Sequence, residues 1–208
     1  MLRTPLIQLS FFAIVLIWSA IGPKDRLTWW LEVMPGLIAL VVLASTYCRF
    51  PFTQLAYTLV LLQCIILFVG GHYTYAEVPL FNWIRDSVGG TRNDFDKLGH
   101  LAQGFVPAAV VREVLVGKQV VRDKRWLAFI VVAIGLAISA AYELVEWWVS
   151  VCTGSAGDAF LGTQGYVWDT QSDMLMALIG AIAFIALMSR VHDRQIAEVT
   201  GSRPVQGT

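Results

Sequence analysis

Charged residues are scarce in this chain of 208 residues: 14% are Asp, Glu, Lys or Arg, whereas 57% are hydrophobic. A soluble domain normally carries about a quarter charged residues. The apolar excess is therefore too large to be hidden from water in a core of this size. The sequence predicts a protein whose main solvent is the lipid bilayer.

The chain also lacks a net charge and has few cysteines. Fifteen Lys and Arg residues balance fifteen Asp and Glu residues, so there is no strong basic field to attract nucleic acid. Cys48, Cys64 and Cys152 have neither CxxC nor zinc-finger spacing. We therefore expect no disulfide framework, no thiolate metal site and no nucleic-acid partner.

Long apolar segments are the main feature of the sequence. Six are long enough to cross a membrane as helices, which takes about 20 residues each. They lie at about 5–21, 30–47, 54–71, 97–116, 126–149 and 168–190. Helix is required because isolated strands would leave backbone groups unpaired in lipid. The prediction is an all-α polytopic membrane bundle of about six spans, forming one domain over residues 1–190.

Basic residues predict the orientation of these segments. If all six span, ten Lys and Arg residues share the side of the N-terminus and five lie on the other side. The more basic side is normally cytoplasmic, so we expect both termini there, with residues 191–208 forming a polar, mostly disordered cytoplasmic tail. The first segment could instead be a signal peptide, although its length and the following turn favour a retained anchor.

Ionisable side chains gather at one end of the later segments. In this topology the third and fifth segments end, and the fourth and sixth begin, on the outer side. A carboxylate facing lipid costs roughly 2.5–3.5 kcal/mol, so such groups normally face a bundle interior or a working site. The residues concerned are His72, Asp94, Asp96, His100, Glu143, Glu146, Asp169 and Asp173. We expect them to meet in one polar site.

The spacing of these residues predicts shared helix faces. Members of each pair are three or four residues apart, which places them on the same side of a helix. The pairs are Asp96 with His100, Glu143 with Glu146, and Asp169 with Asp173. Like charges this close need a cation, an arginine or protons beside them.

A divalent metal, zinc or magnesium, is the cofactor that these residue types suit best. Imidazole with carboxylates is typical of zinc and other first-row metals, and carboxylates alone are typical of calcium or magnesium. The predicted metal ligands are Asp96, His100, Asp169, Asp173 and His72. Glu143, Glu146 and His100 are the predicted catalytic residues, with a glutamate as the base that activates water.

Two structural alternatives stay open beside this interpretation. The acidic residues could cap helix ends and pair with Lys97, Arg85 or Arg92 at the wet interface. His72 could instead belong to an interfacial aromatic belt. Arg112 and Glu113, near the other end of the fourth segment, are expected to form a structural ion pair or a snorkelling arginine.

Three classes of function are compatible with the sequence. The first is a metal-dependent hydrolase or transferase that acts on a lipid-linked or amphipathic substrate at the outer leaflet. The second is a transporter or ion pathway, against which the apolar inner halves of the fifth and sixth segments count. The third is a non-catalytic membrane module that binds a protein or lipid partner. Whether the protein is an enzyme, and its oligomeric state, are left open.

Three motifs resemble a known family. They are Asp96 to Pro107 with Arg112 and Glu113, then Tyr142 to Trp147, then Phe160 to Met174. In this order they are similar to the YjdF family of bacterial inner-membrane proteins. The resemblance implies a multi-pass protein of the bacterial inner membrane and supplies no reaction, because that family has no established activity.

A looser similarity connects the chain to VanZ-like membrane proteins. Those proteins have an Asp-Lys-x-x-His start, an acidic residue in the next helix and an aspartate that opens the last helix. In this chain the matching residues are Asp96-Lys97-Leu98-Gly99-His100, Glu143, and Asp169 or Asp173. An asparagine is expected four residues after that last aspartate, but the residue four positions after Asp173 is Ala177. This resemblance implies at most a role in the cell envelope.

Overall fold

The computed structural model describes residues 3–154, 160 and 162–201 of the chain. Within these ranges the regular structure is entirely helical. The described residues form seven α-helices: α1 Arg3–Ala20, α2 Arg26–Thr46, α3 Gln54–Tyr73, α4 Pro79–Ser87, α5 Phe95–Gly117, α6 Lys124–Thr153 and α7 Asp169–Thr200. A single 3₁₀ turn, Tyr75–Glu77, lies between α3 and α4.

Four of these helices are long and apolar enough to cross a membrane, namely α2, α3, α6 and α7. The apolar part of α1, Leu6–Ala20, is shorter, and α5 has 23 residues but is not among the four. The prediction of an all-α membrane bundle is thus confirmed. The count of six spans and the cytoplasmic position of both termini stay predictions.

Side-chain caps fix where several helices begin. The carboxylate of Asp25 accepts a hydrogen bond from the Thr28 amide at the start of α2, and the Thr53 hydroxyl accepts one from Ala56 at the start of α3. Asp123 accepts from the first amides of α6. Each cap satisfies backbone donors that have no partner inside the helix.

Two elements differ from the sequence prediction. Helix α4, which begins with Pro79 in its first turn, lies between the third and fourth predicted segments and was not predicted. Helix α7 continues to Thr200, so residues 191–200 are helical, and the prediction of a mostly disordered tail is wrong there. The reason is tertiary packing, because His192 and Ile196 on this extension are buried. Residues 202–208 lie outside the described ranges.

Helices α5 and α7 form the centre of the bundle, because glycines let their backbones approach closely. A Cβ atom added to Gly104 would lie 1.8 Å from the carbonyl oxygen of Ala177, and one added to Gly180 would lie 2.0 Å from that of Leu101. Small residues are the usual means of close helix packing in membranes. This contact sets the register between the start of α7 and the start of α5.

Replacing Gly104 with alanine is expected to destabilise the bundle by about 3 kcal/mol, since overpacking a tight contact costs about that much. Gly135→Ala is the matched control, because its added Cβ would meet the Ala181 methyl at 3.1 Å rather than a backbone atom. Thermal unfolding of the detergent-solubilised protein measures both. Equal midpoints for the two variants would show that the α5–α7 contact is looser than described.

Candidate functional site

The predicted acidic and imidazole groups meet where α5 and α7 begin and α6 ends, here called the site end. Asp96 and His100 lie in the first two turns of α5, and Asp169 and Asp173 in the first two turns of α7. Six of the predicted residues are buried at this end: Asp96, His100, Glu143, Glu146, Asp169 and Asp173. The spacing of three or four residues within each pair turns both members toward the interior.

Two overlapping groups of metal-ligand atoms converge at the site end. In the first, one ligand atom each of Asp96, His100 and Asp173 lies within 4.8 Å of the others, and in the second the same holds for His100, Glu143 and Glu146. His100 Nε2 lies 3.5 Å from Asp96 Oδ1 and 3.5 Å from Glu143 Oε1. His100 is therefore the residue that both groups share.

Two polar atoms of this cluster are left without a hydrogen bond. Within the described part of the chain, His100 Nδ1 and Glu143 Oε1 are buried and have no hydrogen-bond partner. Buried polar atoms normally find a partner in the protein, in water or in a ligand. These two atoms are consequently available to an ion, a water molecule or a substrate.

Two cationic side chains lie beside the carboxylates. Lys97 Nζ donates to Asp169 Oδ1 at 2.9 Å, to Ser172 Oγ at 2.6 Å and to Asp173 Oδ1 at 2.6 Å. Arg92 Nη2 lies 2.6 Å from Asp169 Oδ1 and 3.3 Å from Asp96 Oδ2. Asp169 thus forms ion pairs with Arg92 and Lys97, which is the structural alternative that the sequence left open. Asp169 belongs to neither group of converging ligand atoms.

The carboxyl groups at the site end outnumber the permanent cations. Lys97 and Arg92 neutralise two negative charges, whereas the buried carboxyl groups are Glu32, Asp96, Glu143, Glu146, Asp169 and Asp173. Carboxylates this close cannot all ionise unless a further positive charge or protons join them. The arrangement therefore suits a bound cation.

Glu32 on α2 belongs to this site, a role that the sequence suggested only weakly. Its carboxylate is 2% exposed and accepts a hydrogen bond from the Tyr142 hydroxyl at 3.2 Å. Tyr75, in the turn after α3, lines the same cavity as Glu32. Burial raises the pKa of Tyr75 well above its usual range, and the charge of Glu32 adds to this, so the phenol stays a proton donor.

A cavity of about 340 Å³ opens beside the cluster, between α2, α3, α5 and α6. Glu32, Asp96, His100 and Glu146 contribute to its wall. Its size is in the range of small-molecule sites, about 300–1,000 Å³. The ionisable cluster is thus one wall of a space that can hold a ligand.

His72 and Asp94 are not brought into the cluster. His72 Nδ1 lies 3.1 Å from the carbonyl oxygen of Ser19, and its ring stacks on Trp18 with centroids 4.5 Å apart. It therefore ties α3 to the end of α1, and the expectation that it joins the other ligands is corrected. Asp94 is mostly exposed, with Oδ1 3.5 Å from Arg92 Nε.

The loop before α7 is pinned to the start of α5. The backbone N–H of Asn93 donates to Gln164 Oε1, and Gln164 Nε2 donates to the backbone carbonyl oxygen of Asn93, both at 2.9 Å. Asn93 Nδ2 also donates to the carbonyl oxygen of Val78. This reciprocal pair holds Asp96 and Asp169 in a fixed relation, and sequence reasoning did not assign Asn93 a role.

A second buried polar network lies at the opposite end of α5 and α7, here called the far end. Glu113 accepts from the Thr53 amide at 2.5 Å and the Thr53 hydroxyl at 2.7 Å, and its Oε2 lies 2.8 Å from His192 Nε2. Arg112 donates to Asp193 at 2.5 Å. For Arg112 and Glu113 the sequence left a structural ion pair or a snorkelling arginine open, and the structure shows Arg112 paired with Asp193. Sequence reasoning missed His192.

Long apolar helices that enclose carboxyl groups and a histidine define a polytopic α-helical membrane protein with a buried polar centre. A comparison with known families agrees with this class. Residues 4–194 match the family described as predicted membrane protein, DUF2238, and the chain belongs to that family.

The chain is also similar to a curated protein, the inner membrane protein YjdF of Escherichia coli strain K12. The two are 49% identical over 183 residues, which cover 88% of each chain. The predicted family and the predicted location in the bacterial inner membrane are thereby confirmed. No solved structure matches this chain.

Proposed function

We propose that this protein is a metal-dependent hydrolase of amphipathic envelope substrates, with Asp96, His100 and Asp173 as ligands of one divalent ion. One observation carries the proposal. Donor atoms from α5, α6 and α7 converge within 4.8 Å in two groups that share His100, and buried atoms of His100 and Glu143 have no hydrogen-bond partner among the described residues. An ion beside His100 Nε2 and Glu143 Oε1 would offset the excess of carboxylates.

The donor set favours zinc or another first-row metal. One imidazole nitrogen with two carboxylate oxygens leaves an open coordination position, which is typical of catalytic rather than structural zinc sites. Magnesium prefers oxygen ligands alone and retains several waters, so the imidazole argues against it. Lys97 donates to Asp173, and Arg92 to Asp96, so each carboxylate ligand has a cation that orients it.

Glu143 and Glu146 are placed to act as the base. Both lie in the second group of donor atoms with His100, one turn apart on α6. A metal ion lowers the pKa of a bound water to about 7. With an ion held there, one of these carboxylates would take the proton of the attacking water, the water oxygen would bond to the electrophilic centre of the substrate, and the leaving group would depart with that proton. If an alcohol replaces water, the same steps transfer the group.

An ion pathway is the less favoured function. The far-end network begins at Glu113, about 20 Å along α5 from His100 at 1.5 Å per residue. The cavity wall between them includes Val106, Val110 and Val111. A proton or cation relay needs ionisable groups at short intervals, and the polar residues of this part of the wall, Gln63 and Gln103, are not ionisable.

Lipid hydrolysis and metal content together test the proposal. Purified protein in liposomes of a bacterial lipid extract is expected to carry about one metal ion per chain and to release new lipid products, which mass spectrometry detects. Replacing Glu143 and Glu146 with glutamine is expected to keep the metal and lower product formation by at least about 100-fold, the usual contribution of general base catalysis.

Glu198→Gln is the matched control, since Glu198 is exposed near the end of α7. It is expected to retain full activity. Wild-type protein that purifies without metal would refute the ion site. Metal-loaded protein that leaves the lipid extract unchanged would refute the hydrolase.

A further inference from the structure

The cavity beside the cluster has two chemically distinct zones. Its polar zone at the site end is formed by Glu32, Asp96, His100, Glu146 and the hydroxyls of Tyr75 and Tyr142. The remaining wall is mostly aliphatic, with the amides of Gln63 and Gln103 as its polar members. A ligand that fills both zones has a polar head and a hydrocarbon body.

The length of the cavity along α5 fits one leaflet of a bilayer. From His100 to Val111, which both line the cavity, α5 rises about 17 Å at 1.5 Å per residue. Half of a hydrocarbon core is about 15 Å thick. A chain whose head rests at the ionisable cluster would therefore reach about the middle of the membrane, as chains in the surrounding leaflet do.

One side of the cavity lacks close helix packing. Over the described residues, α2 packs on α3, α3 on α5, and α5 on α6, whereas α2 and α6 make sparse contact at most. The hydrogen bond from Tyr142 to Glu32 joins α2 and α6 at the polar end of this side. Ile138 on α6 lines the cavity and is also 36% exposed on the surface.

We infer that the cavity takes a single-chain amphiphile from the membrane, which enters sideways between α2 and α6 and places its polar head at the ionisable cluster. This substrate class rests on the proposed function, because it assigns the ligand of the same site. A narrow chain is required, since about 340 Å³ holds one chain and not the two of a diacyl lipid. Selection depends on fit, because surrounding lipid is as apolar as the cavity wall.

Photolabelling in lipid nanodiscs tests this inference on the full-length protein. The probe is a lysophosphatidylcholine whose single acyl chain carries a diazirine. Leu67 and Val106 line the cavity and are only 8% and 6% exposed, so surrounding lipid does not reach them. We expect the probe to label both. Val41 on α2, 66% exposed, reports ordinary lipid contact and serves as the internal standard.

Ala39→Phe is the test variant, because Ala39 lines the cavity and a phenyl ring there fills the apolar zone. It is expected to lower labelling of Leu67 and Val106 about tenfold, which corresponds to about 1.4 kcal/mol. Ile38→Phe, one residue earlier at a position that is 55% exposed, is the matched control. In this variant the probe should label Leu67 and Val106 as strongly as in the wild type. Labelling confined to exposed residues such as Val41, or equal labelling in both variants, would overturn the inference.

Metal analysis of the same preparations separates this inference from the proposed function. Ala39→Phe is expected to keep its metal, because its side chain adds no ligand and removes none. Metal-loaded wild-type protein without label at Leu67 and Val106 would overturn the lipid assignment alone. Label at these residues in a wild-type protein without metal would refute the hydrolase and support the cavity as a lipid site.

Discussion

Replacing His100 with alanine is expected to abolish tight metal binding. His100 belongs to both groups of converging donor atoms and supplies the imidazole nitrogen of the site. Groups that only orient a ligand are worth about 10–100-fold in metal affinity, so loss of a direct ligand should lower zinc affinity by more than about 100-fold. Zinc titration of the purified, detergent-solubilised protein by calorimetry measures the change.

His72→Ala is the matched control for this prediction. His72 is also a histidine near a helix end, but its ring contacts Trp18 and the carbonyl oxygen of Ser19 instead of the cluster. It should bind zinc as the wild type does. If both variants keep wild-type affinity, His100 is not a ligand. If His100→Ala does not fold, His100→Gln preserves more of the side-chain volume and gives the same comparison.

Replacing Glu113 with alanine is expected to have the largest effect on stability. The carboxylate of Glu113 is 2% exposed and joins the start of α3, through both donors of Thr53, to His192 on α7. Removing one partner of a buried ionic network typically costs about 3–5 kcal/mol, because the remaining groups stay buried without compensation. Unfolding of the protein in mixed micelles by a denaturing detergent measures this difference.

Two further variants make the interpretation of Glu113→Ala specific. Glu113→Gln keeps an oxygen acceptor for Thr53 and should lose less stability. Glu198→Ala, at an exposed position of the same end, should change stability by no more than about 0.5 kcal/mol. Equal stability of Glu113→Ala and Glu198→Ala would mean that the far-end network does not hold α3, α5 and α7 together.

Much of the site could be predicted because it depends on helix periodicity and on the direction of the segments. Asp96 and His100, or Asp169 and Asp173, share a face as soon as their segments are helical. Because α5 and α7 begin and α6 ends at the same end of the bundle, the ionisable residues of these three helices lie at a similar level. The structure places Asp96, His100, Glu143 and Asp173 together as this reasoning expects.

The partners of individual side chains could not be predicted in the same way. Asp169 and Asp173 look equivalent in the sequence, yet in the structure Asp169 forms ion pairs with both Arg92 and Lys97. For His72 the sequence left a metal ligand and a member of an aromatic belt open, and the position of α1 decides that it stacks on Trp18. These outcomes depend on how helices rotate and pack, which local patterns do not encode.

The fold shows the same division between local and tertiary information. The apolar segments of α2, α3, α6 and α7 are evident from hydropathy alone. The extension of α7 to Thr200 is not, because its sequence is polar and its helical state depends on burial of His192 and Ile196. One signal was present: adjacent Arg112 and Glu113 have complementary partners in adjacent Asp193 and His192.

The central claim is that imidazole and carboxylate groups from separate helices hold one divalent ion within the membrane domain. A crystal structure of the zinc-loaded protein, with anomalous diffraction recorded above and below the zinc edge, tests it most directly. We expect one anomalous peak within about 2.0–2.2 Å of His100 and of the carboxylates of Asp96 and Asp173. Absence of a peak there, with the three side chains directed to separate partners, would contradict the claim.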